Sequence, residues 1–127
     1  MKKIETEDAP LPAGHYSQAI VHGGTVYVAG QLPIDPTDPG KPAGSIEEQA
    51  EQVLRNVEAV LRAAGSSLDR VLAVTVYITD LEMWGRVNEV YARVFGDHRP
   101  ARAVIPVGPL RKGYQIEVQA IAALAGD

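Results

Sequence analysis

The sequence predicts an α+β fold in which five or six β-strands form one sheet and two helices pack on one of its faces. Two helix-length apolar stripes and several short runs rich in β-branched residues support this prediction. These segments follow one another in the order ββαβαββ, and a short strand near residues 3–6 would precede them. We expect residues 1–127, a length typical of one domain, to form a single domain.

The first two strong strands are predicted to form a hairpin. Residues 17–22 and 25–29 are β-prone, and Gly23 and Gly24 between them can supply the positive φ angles of a two-residue turn. The prolines and glycines of QLPIDPTDPGKPAG then predict a loop.

The first helix has a clear start and a clear end in the sequence. Ser45 and Glu48 have the spacing of a capping box, in which each side chain binds the backbone N–H of the other. An apolar stripe follows and predicts a helix over residues 46–64 that ends at Gly65.

A second helix is predicted to begin after Thr79 or Asp80, either of which can act as its cap, and to end at Gly96. Its apolar stripe consists of Leu81, Trp84, Val87, Val90, Tyr91, Val94 and Phe95. We interpret these aromatic residues as core, since their spacing is helical. Two further strands are predicted near residues 102–107 and 115–122.

The strand predicted at residues 71–79 is apolar on both of its faces. One row is Leu72, Val74, Val76 and Ile78, and the other is Val71, Ala73 and Tyr77. Two helices, each about 10 Å wide, cover only one face of a sheet of this size. The second face therefore needs a cover, and we expect another copy of the chain to supply it in a homo-oligomer.

Composition excludes several classes of function. The net charge of −4 gives no electrostatic reason to expect a nucleic acid or an anionic membrane as partner. There is no cysteine, and the three histidines lack metal-ligand spacing, so we expect no thiol nucleophile, no metal and no cofactor. No long apolar run or leader pattern is present, and we expect a cytoplasmic protein.

Arg102 is the residue that most needs an explanation, because it lies at the start of a short apolar strand in RPARAVIPVGPL. An unpaired charge in apolar surroundings costs several kcal/mol. Arg102 therefore reaches solvent, pairs within the chain or binds an anion. Alternation places it with Val104 and Pro106, and if residues 102–107 and 115–122 paired as a hairpin it could meet Glu117.

Several stretches together resemble one family over nearly the whole chain. These are ETEDAPLPAGHYSQAI, VAGQLPIDP, VNEVYARVF, PARAVIPVGPL and QIEVQAIA. They are similar to motifs of the RidA/YjgF family of imine and enamine deaminases, also described as L-PSP endoribonucleases or translation inhibitors. The resemblance implies a chorismate-mutase-like mixed sheet, and a homotrimer with sites in the clefts between subunits.

The resemblance also implies roles for individual residues. Arg102 would bind the carboxylate of a 2-imino or 2-enamino acid released by a pyridoxal-phosphate enzyme. Glu117 would orient water or shuttle protons, and Tyr16 would close the pocket or donate a hydrogen bond. Further residues matching the family's substrate-binding positions are Asn88, Gly30, Gln31 and Val104.

Two positions depart from the family pattern. Val104 stands where many members have cysteine, which excludes a thiol mechanism here, and His15 replaces a proline and is predicted to face solvent. Two other functions stay open as alternatives. One is a 2-keto acid binder or holdase without turnover, and the other is an endoribonuclease or translation inhibitor. The latter would need RNA binding by a small basic rim of Arg99, Arg102, Arg111 and Lys112.

Overall fold

The structure, a computed structural model, describes residues 1–126 and has the predicted α+β order of elements. The strands are β1 (Lys2–Ile4), β2 (Ala19–His22), β3 (Thr25–Gln31), β4 (Val71–Ile78), β5 (Ala101–Pro106) and β6 (Ile116–Ala123). The helices are α1 (Ile46–Ala63) and α2 (Trp84–Phe95). Single 3-10 turns occur at Leu68–Arg70, Leu81–Met83 and Arg111–Gly113.

The six strands form one mixed sheet in the order β1-β2-β3-β6-β4-β5. Strands β4 and β5 are parallel because α2 connects them, and all other neighbours are antiparallel. The apolar rows of both helices and of one sheet face form the core, which includes Val26, Val28, Val53, Leu61, Val74, Val76, Ile78, Val118 and Ala120. The predicted fold class is confirmed.

The sequence correctly predicts the start of helix α1 and the turn between strands β2 and β3. Ser45 Oγ accepts from the Glu48 amide at 3.1 Å, and Glu48 Oε1 accepts from the Ser45 amide at 3.0 Å, which completes the capping box. In the hairpin turn, Gly23 has a φ of 59° and Gly24 a φ of 79°. Both predictions are confirmed.

A β-bulge overturns one predicted row of strand β4. The pairing with β6 shifts between Val71 and Ala73, so that one extra residue is accommodated there. As a result Val71 is buried, whereas Leu72 is 52% exposed. The prediction that Leu72 shares a face with Val74 is wrong, because a bulge breaks the alternation of two on which it was based.

The second helix begins later than its apolar stripe suggests. Asp80 Oδ1 accepts from the Glu82 amide at 2.9 Å, but it caps a 3-10 turn, and α2 starts only at Trp84. Leu81 therefore lies outside the helical face and is half exposed. The prediction that Leu81 belongs to the apolar stripe of the second helix is wrong.

Strands β5 and β6 do not pair with each other. Strand β6 lies between β3 and β4, and β5 is at the sheet edge beside β4. Arg102 is level with Val74 on the helix-covered face, while Glu117 is level with Tyr77 on the other face. The hairpin in which Arg102 could pair with Glu117 is thus absent from the structure.

The sheet face away from the helices stays uncovered in the single chain. Tyr27, Ile105 and Ile121 on this face are 48%, 41% and 36% exposed. Exposed apolar residues therefore lie on three strands of this face, as the shortage of helices predicts. Within residues 1–126, neither helix is both long and apolar enough to cross a membrane.

Candidate carboxylate-binding site

Arg102 is exposed on the edge strand β5, yet its guanidinium is held in place by α2. Nη1 donates to Asn88 Oδ1 at 3.0 Å, and Cζ lies over the rings of Trp84 and Tyr91, at 4.7 and 4.8 Å from their centroids. No described carboxylate lies within ion-pair distance of it. The contacts fix the orientation of the cation and leave donor N–H groups available to an anion.

The sequence predicts the aromatic partners of Arg102 as core residues only. Trp84, Asn88 and Tyr91 are spaced by four and three residues, which places all three on one helix face. The family resemblance makes Asn88 a candidate, and the helical spacing from Asn88 identifies the two rings as its neighbours. Val104 lies two residues after Arg102 on the same face and is half-buried.

Glu117 and Gly30 lie against each other on the opposite side of the sheet. A Cβ atom built on Gly30 would overlap Oε2 of Glu117 and lie 3.1 Å from its Cδ. Glycine therefore gives the carboxyl group room that any other residue would occupy. Burial raises the pKa of the Glu117 carboxyl above its usual value.

Tyr16, Gly30 and Gln31 line one pocket with a volume of about 560 Å³. Tyr16 is 51% exposed at its wall, and the Gln31 side chain is directed to its own backbone, since Nε2 donates to Ala29 O at 3.1 Å. Three segments form the pocket: the chain before β2, the loop after β3 and the turn before β6. His15 is exposed, as predicted.

The candidate residues therefore form two separate groups. Arg102, Asn88 and Val104 lie on the helix-covered face at the sheet edge. A second group lies elsewhere: Tyr16, Gly30 and Gln31 line the pocket, and the carboxylate of Glu117 lies beside Gly30. We call these four residues the pocket group. Because strand β4 separates β5 from β6, one chain does not bring Arg102 to Glu117.

Replacing Gly30 by alanine is expected to lower activity at this site by about 10- to 100-fold, because the added methyl group displaces the Glu117 carboxylate. Stability should change little, since the carboxylate is the far end of a flexible side chain. Steady-state kinetics and thermal denaturation measure the two effects. Gly85→Ala is the matched control, because nothing lies within 4 Å of its added Cβ. Equal kinetics for the two variants would show that the contact of Gly30 with Glu117 is irrelevant.

The mixed six-stranded sheet with both helices on one face defines the class of this molecule, a small α+β protein of the chorismate-mutase-like type. The family model described as Endoribonuclease L-PSP matches residues 6–124. The chain belongs to this family, the RidA/YjgF proteins.

Named relatives cover nearly all of the chain. A RutC family protein of Pyrococcus horikoshii is 49% identical over 119 residues, 94% of each chain. The 2-iminobutanoate/2-iminopropanoate deaminase of Rattus norvegicus is 41% identical, over 95% of this chain and 88% of its own. Among solved structures, TdcF of E. coli with bound serine has a TM-score of 0.93 and 37% identity, and the match covers 98% of this chain and 100% of TdcF.

Proposed function

We propose that this protein hydrolyses reactive 2-imino acids to 2-keto acids and ammonia. The observation that carries the proposal is the guanidinium of Arg102, which is exposed, oriented by Asn88 and two aromatic rings, and without a carboxylate partner among residues 1–126. The rat relative named a 2-iminobutanoate/2-iminopropanoate deaminase supports the same substrate class. Enamine substrates enter the reaction as their imine tautomers.

Arg102 would bind the substrate carboxylate. A guanidinium stays charged at all working pH values and can offer two parallel N–H donors to one carboxylate. Each such bond contributes roughly 1.5–3 kcal/mol. Asn88 and the rings hold the guanidinium in place before the substrate arrives. The side chain of Arg102 therefore loses little conformational entropy on binding.

Glu117 would move the proton that hydrolysis requires. The water oxygen bonds to the imine carbon while the electrons of the C=N bond move to nitrogen, which takes up a proton. Glu117 accepts one proton of the attacking water and passes it to nitrogen, which gives a carbinolamine. It then takes the hydroxyl proton of this intermediate and passes it to the amine, so that the C–N bond breaks and ammonia leaves as the C=O bond forms. Its raised pKa suits this exchange, because the carboxyl holds a proton more readily than an ordinary glutamate.

The two groups of residues would meet between copies of the chain. The uncovered apolar sheet face supports association, and the separation of Arg102 from Glu117 supports a site that takes one residue from each copy. We infer a homotrimer, in which each cleft between neighbours combines the arginine of one copy with the pocket group of the next.

Coupling this protein to a pyridoxal-phosphate threonine dehydratase tests the proposed reaction. The dehydratase releases 2-iminobutanoate, and formation of 2-ketobutyrate is followed with and without the protein. We expect faster release of the keto acid in its presence. If the rate stays at that of the spontaneous reaction for imines derived from several amino acids, the protein is a binder and the deaminase proposal is wrong.

Ile105→Glu is expected to dissociate the assembly, because it places a charge among the exposed apolar residues of the uncovered face. The molar mass measured by light scattering after size exclusion should fall from three times the chain mass of 13.6 kDa to the mass of one chain. Activity should fall with it. Leu81→Glu is the matched control, since Leu81 is 53% exposed but lies in a turn outside the sheet. A monomeric wild-type protein would contradict the proposed assembly.

A further inference from the structure

The pocket beside Gly30 is larger than a small imino acid requires. Its volume of about 560 Å³ falls in the range of about 300–1,000 Å³ that proteins use for ligands of drug size. The imine of 2-ketobutyrate has only four carbons. The remaining space must therefore suit a longer substrate side chain or serve no ligand.

The walls of this pocket combine apolar and polar surface, and one turn adds two cations. The apolar lining includes Pro10, Leu11, Leu32, Ile34, Pro36 and Pro39. Arg111 and Lys112 line it as well, and Glu7 is the one carboxylate among the described lining residues. Within residues 1–126, neither cation has a carboxylate within 4.0 Å.

The turn that carries the cations is defined by the fold. Tyr114 is buried, and its amide donates to Arg111 O at 3.1 Å, which closes the turn Arg111–Gly113. Lys112 has a φ of 54°, in the left-handed region that residues other than glycine rarely adopt. The backbone therefore holds two neighbouring positive side chains at the pocket wall despite a conformational cost.

We propose that this pocket receives the substrate side chain and that Arg111 and Lys112 bind a second carboxylate at its end. The proposal rests on the proposed function, because Tyr16, Gly30 and Gln31 belong both to the pocket and to the candidate site. The substrate class is then 2-imino acids whose side chain has several methylene groups and ends in an anion. The apolar residues of the wall favour the methylenes, and the two cations favour an anionic end over a methyl group at the same position.

Calorimetric titration of the wild-type protein with two stable product analogues tests this preference. 2-Ketoadipate and 2-ketohexanoate have the same number of carbons and differ at the end of the chain, which is a carboxylate in one and a methyl group in the other. We expect 2-ketoadipate to bind about fivefold more tightly, the ratio that an exposed charge pair can supply. Raising sodium chloride to about 0.5 M should remove most of this difference by screening.

The double variant Arg111→Gln with Lys112→Gln should bind 2-ketoadipate no more tightly than 2-ketohexanoate. Its affinity for 2-ketohexanoate should equal that of the wild-type protein. Glutamine removes the charges and makes no new demand on the backbone at residue 112 beyond that of lysine. Arg62→Gln is the control, because Arg62 is an exposed cation of α1 whose ion pair is with Glu58. It should leave both affinities unchanged.

The outcomes separate this inference from the function on which it rests. Equal binding of the two acids by the wild-type protein, or equal weakening of both in the double variant, overturns the second carboxylate site and leaves deamination standing. Failure of the wild-type protein to bind either acid overturns the second carboxylate site, and the coupled dehydratase assay then decides deamination independently. A preference for 2-ketoadipate that disappears in the double variant alone supports the inference.

Discussion

Replacing Arg102 by alanine is expected to lower kcat/KM for 2-iminobutanoate by about 10²- to 10⁴-fold. Two charge-assisted hydrogen bonds of roughly 1.5–3 kcal/mol each are lost, and a factor of ten corresponds to about 1.4 kcal/mol. The fold should survive, because Arg102 is exposed and its contacts are limited to Asn88 and the rings of α2. The coupled dehydratase assay measures the rate, and thermal denaturation measures the stability.

Two further variants show whether geometry or charge matters at this position. Arg102→Lys keeps the charge and loses the planar fork, so we expect it to recover only a small part of the activity. Arg99→Ala removes a neighbouring exposed cation and should leave the rate unchanged. If Arg102→Ala retained full activity, the carboxylate of the substrate would have to bind elsewhere.

Mixing subunits tests whether each site takes residues from two copies. Arg102→Ala and Glu117→Gln chains, each inactive alone, would be coexpressed so that mixed assemblies form. Random assembly gives about a quarter of the clefts an intact pair of contributing faces, so about a quarter of the activity should return. A site contained within one chain would give no recovery.

Glu117→Gln is expected to lower kcat by about 10²- to 10³-fold and to change KM little. Glutamine keeps the size of the side chain but does not take a proton from water, and general acid–base catalysis contributes about 10²- to 10⁴-fold. The raised pKa of Glu117 also predicts that wild-type activity falls at a higher pH on the acid side than an ordinary glutamate would give. A pH profile of kcat/KM with the same acid limb in Glu117→Gln would contradict this assignment.

The same substitution should raise stability at neutral pH. Burial raises the folded-state pKa of Glu117, so the folded state binds its proton more tightly than the unfolded state does. This contribution is present at low pH and is lost as the pH rises through the raised pKa. Glutamine does not ionise, so the Glu117→Gln variant keeps its stability as the pH rises. Its melting temperature should exceed that of the wild-type protein at pH 7 and equal it near pH 3.

Local features of the sequence predicted most of the fold. Capping at Ser45, the turn at Gly23 and Gly24, and the two apolar stripes depend on contacts between residues close in sequence. The structure contains each of them, except that Leu81 lies outside the second stripe. The uncovered face also followed from counting helices against strands. These inferences need no knowledge of strand order.

Features that depend on distant pairing could not be predicted in this way. The bulge at Leu72 arises from the register of β4 on β6, which is set by residues almost fifty positions away. The placement of β6 between β3 and β4 likewise puts β4 between the strand of Arg102 and the strand of Glu117. Sequence alternation assigned each residue a face within its own strand, but it did not relate one strand to another.

Trp84 is the only tryptophan in the chain, and its ring lies against the guanidinium of Arg102. All indole emission from this protein therefore originates beside the proposed anchor for the substrate carboxylate. An anion that binds Arg102 changes the charge next to the indole ring, and with it the wavelength and intensity of tryptophan fluorescence. The protein thus carries its own optical probe of occupancy, with no dye or label to disturb the cleft.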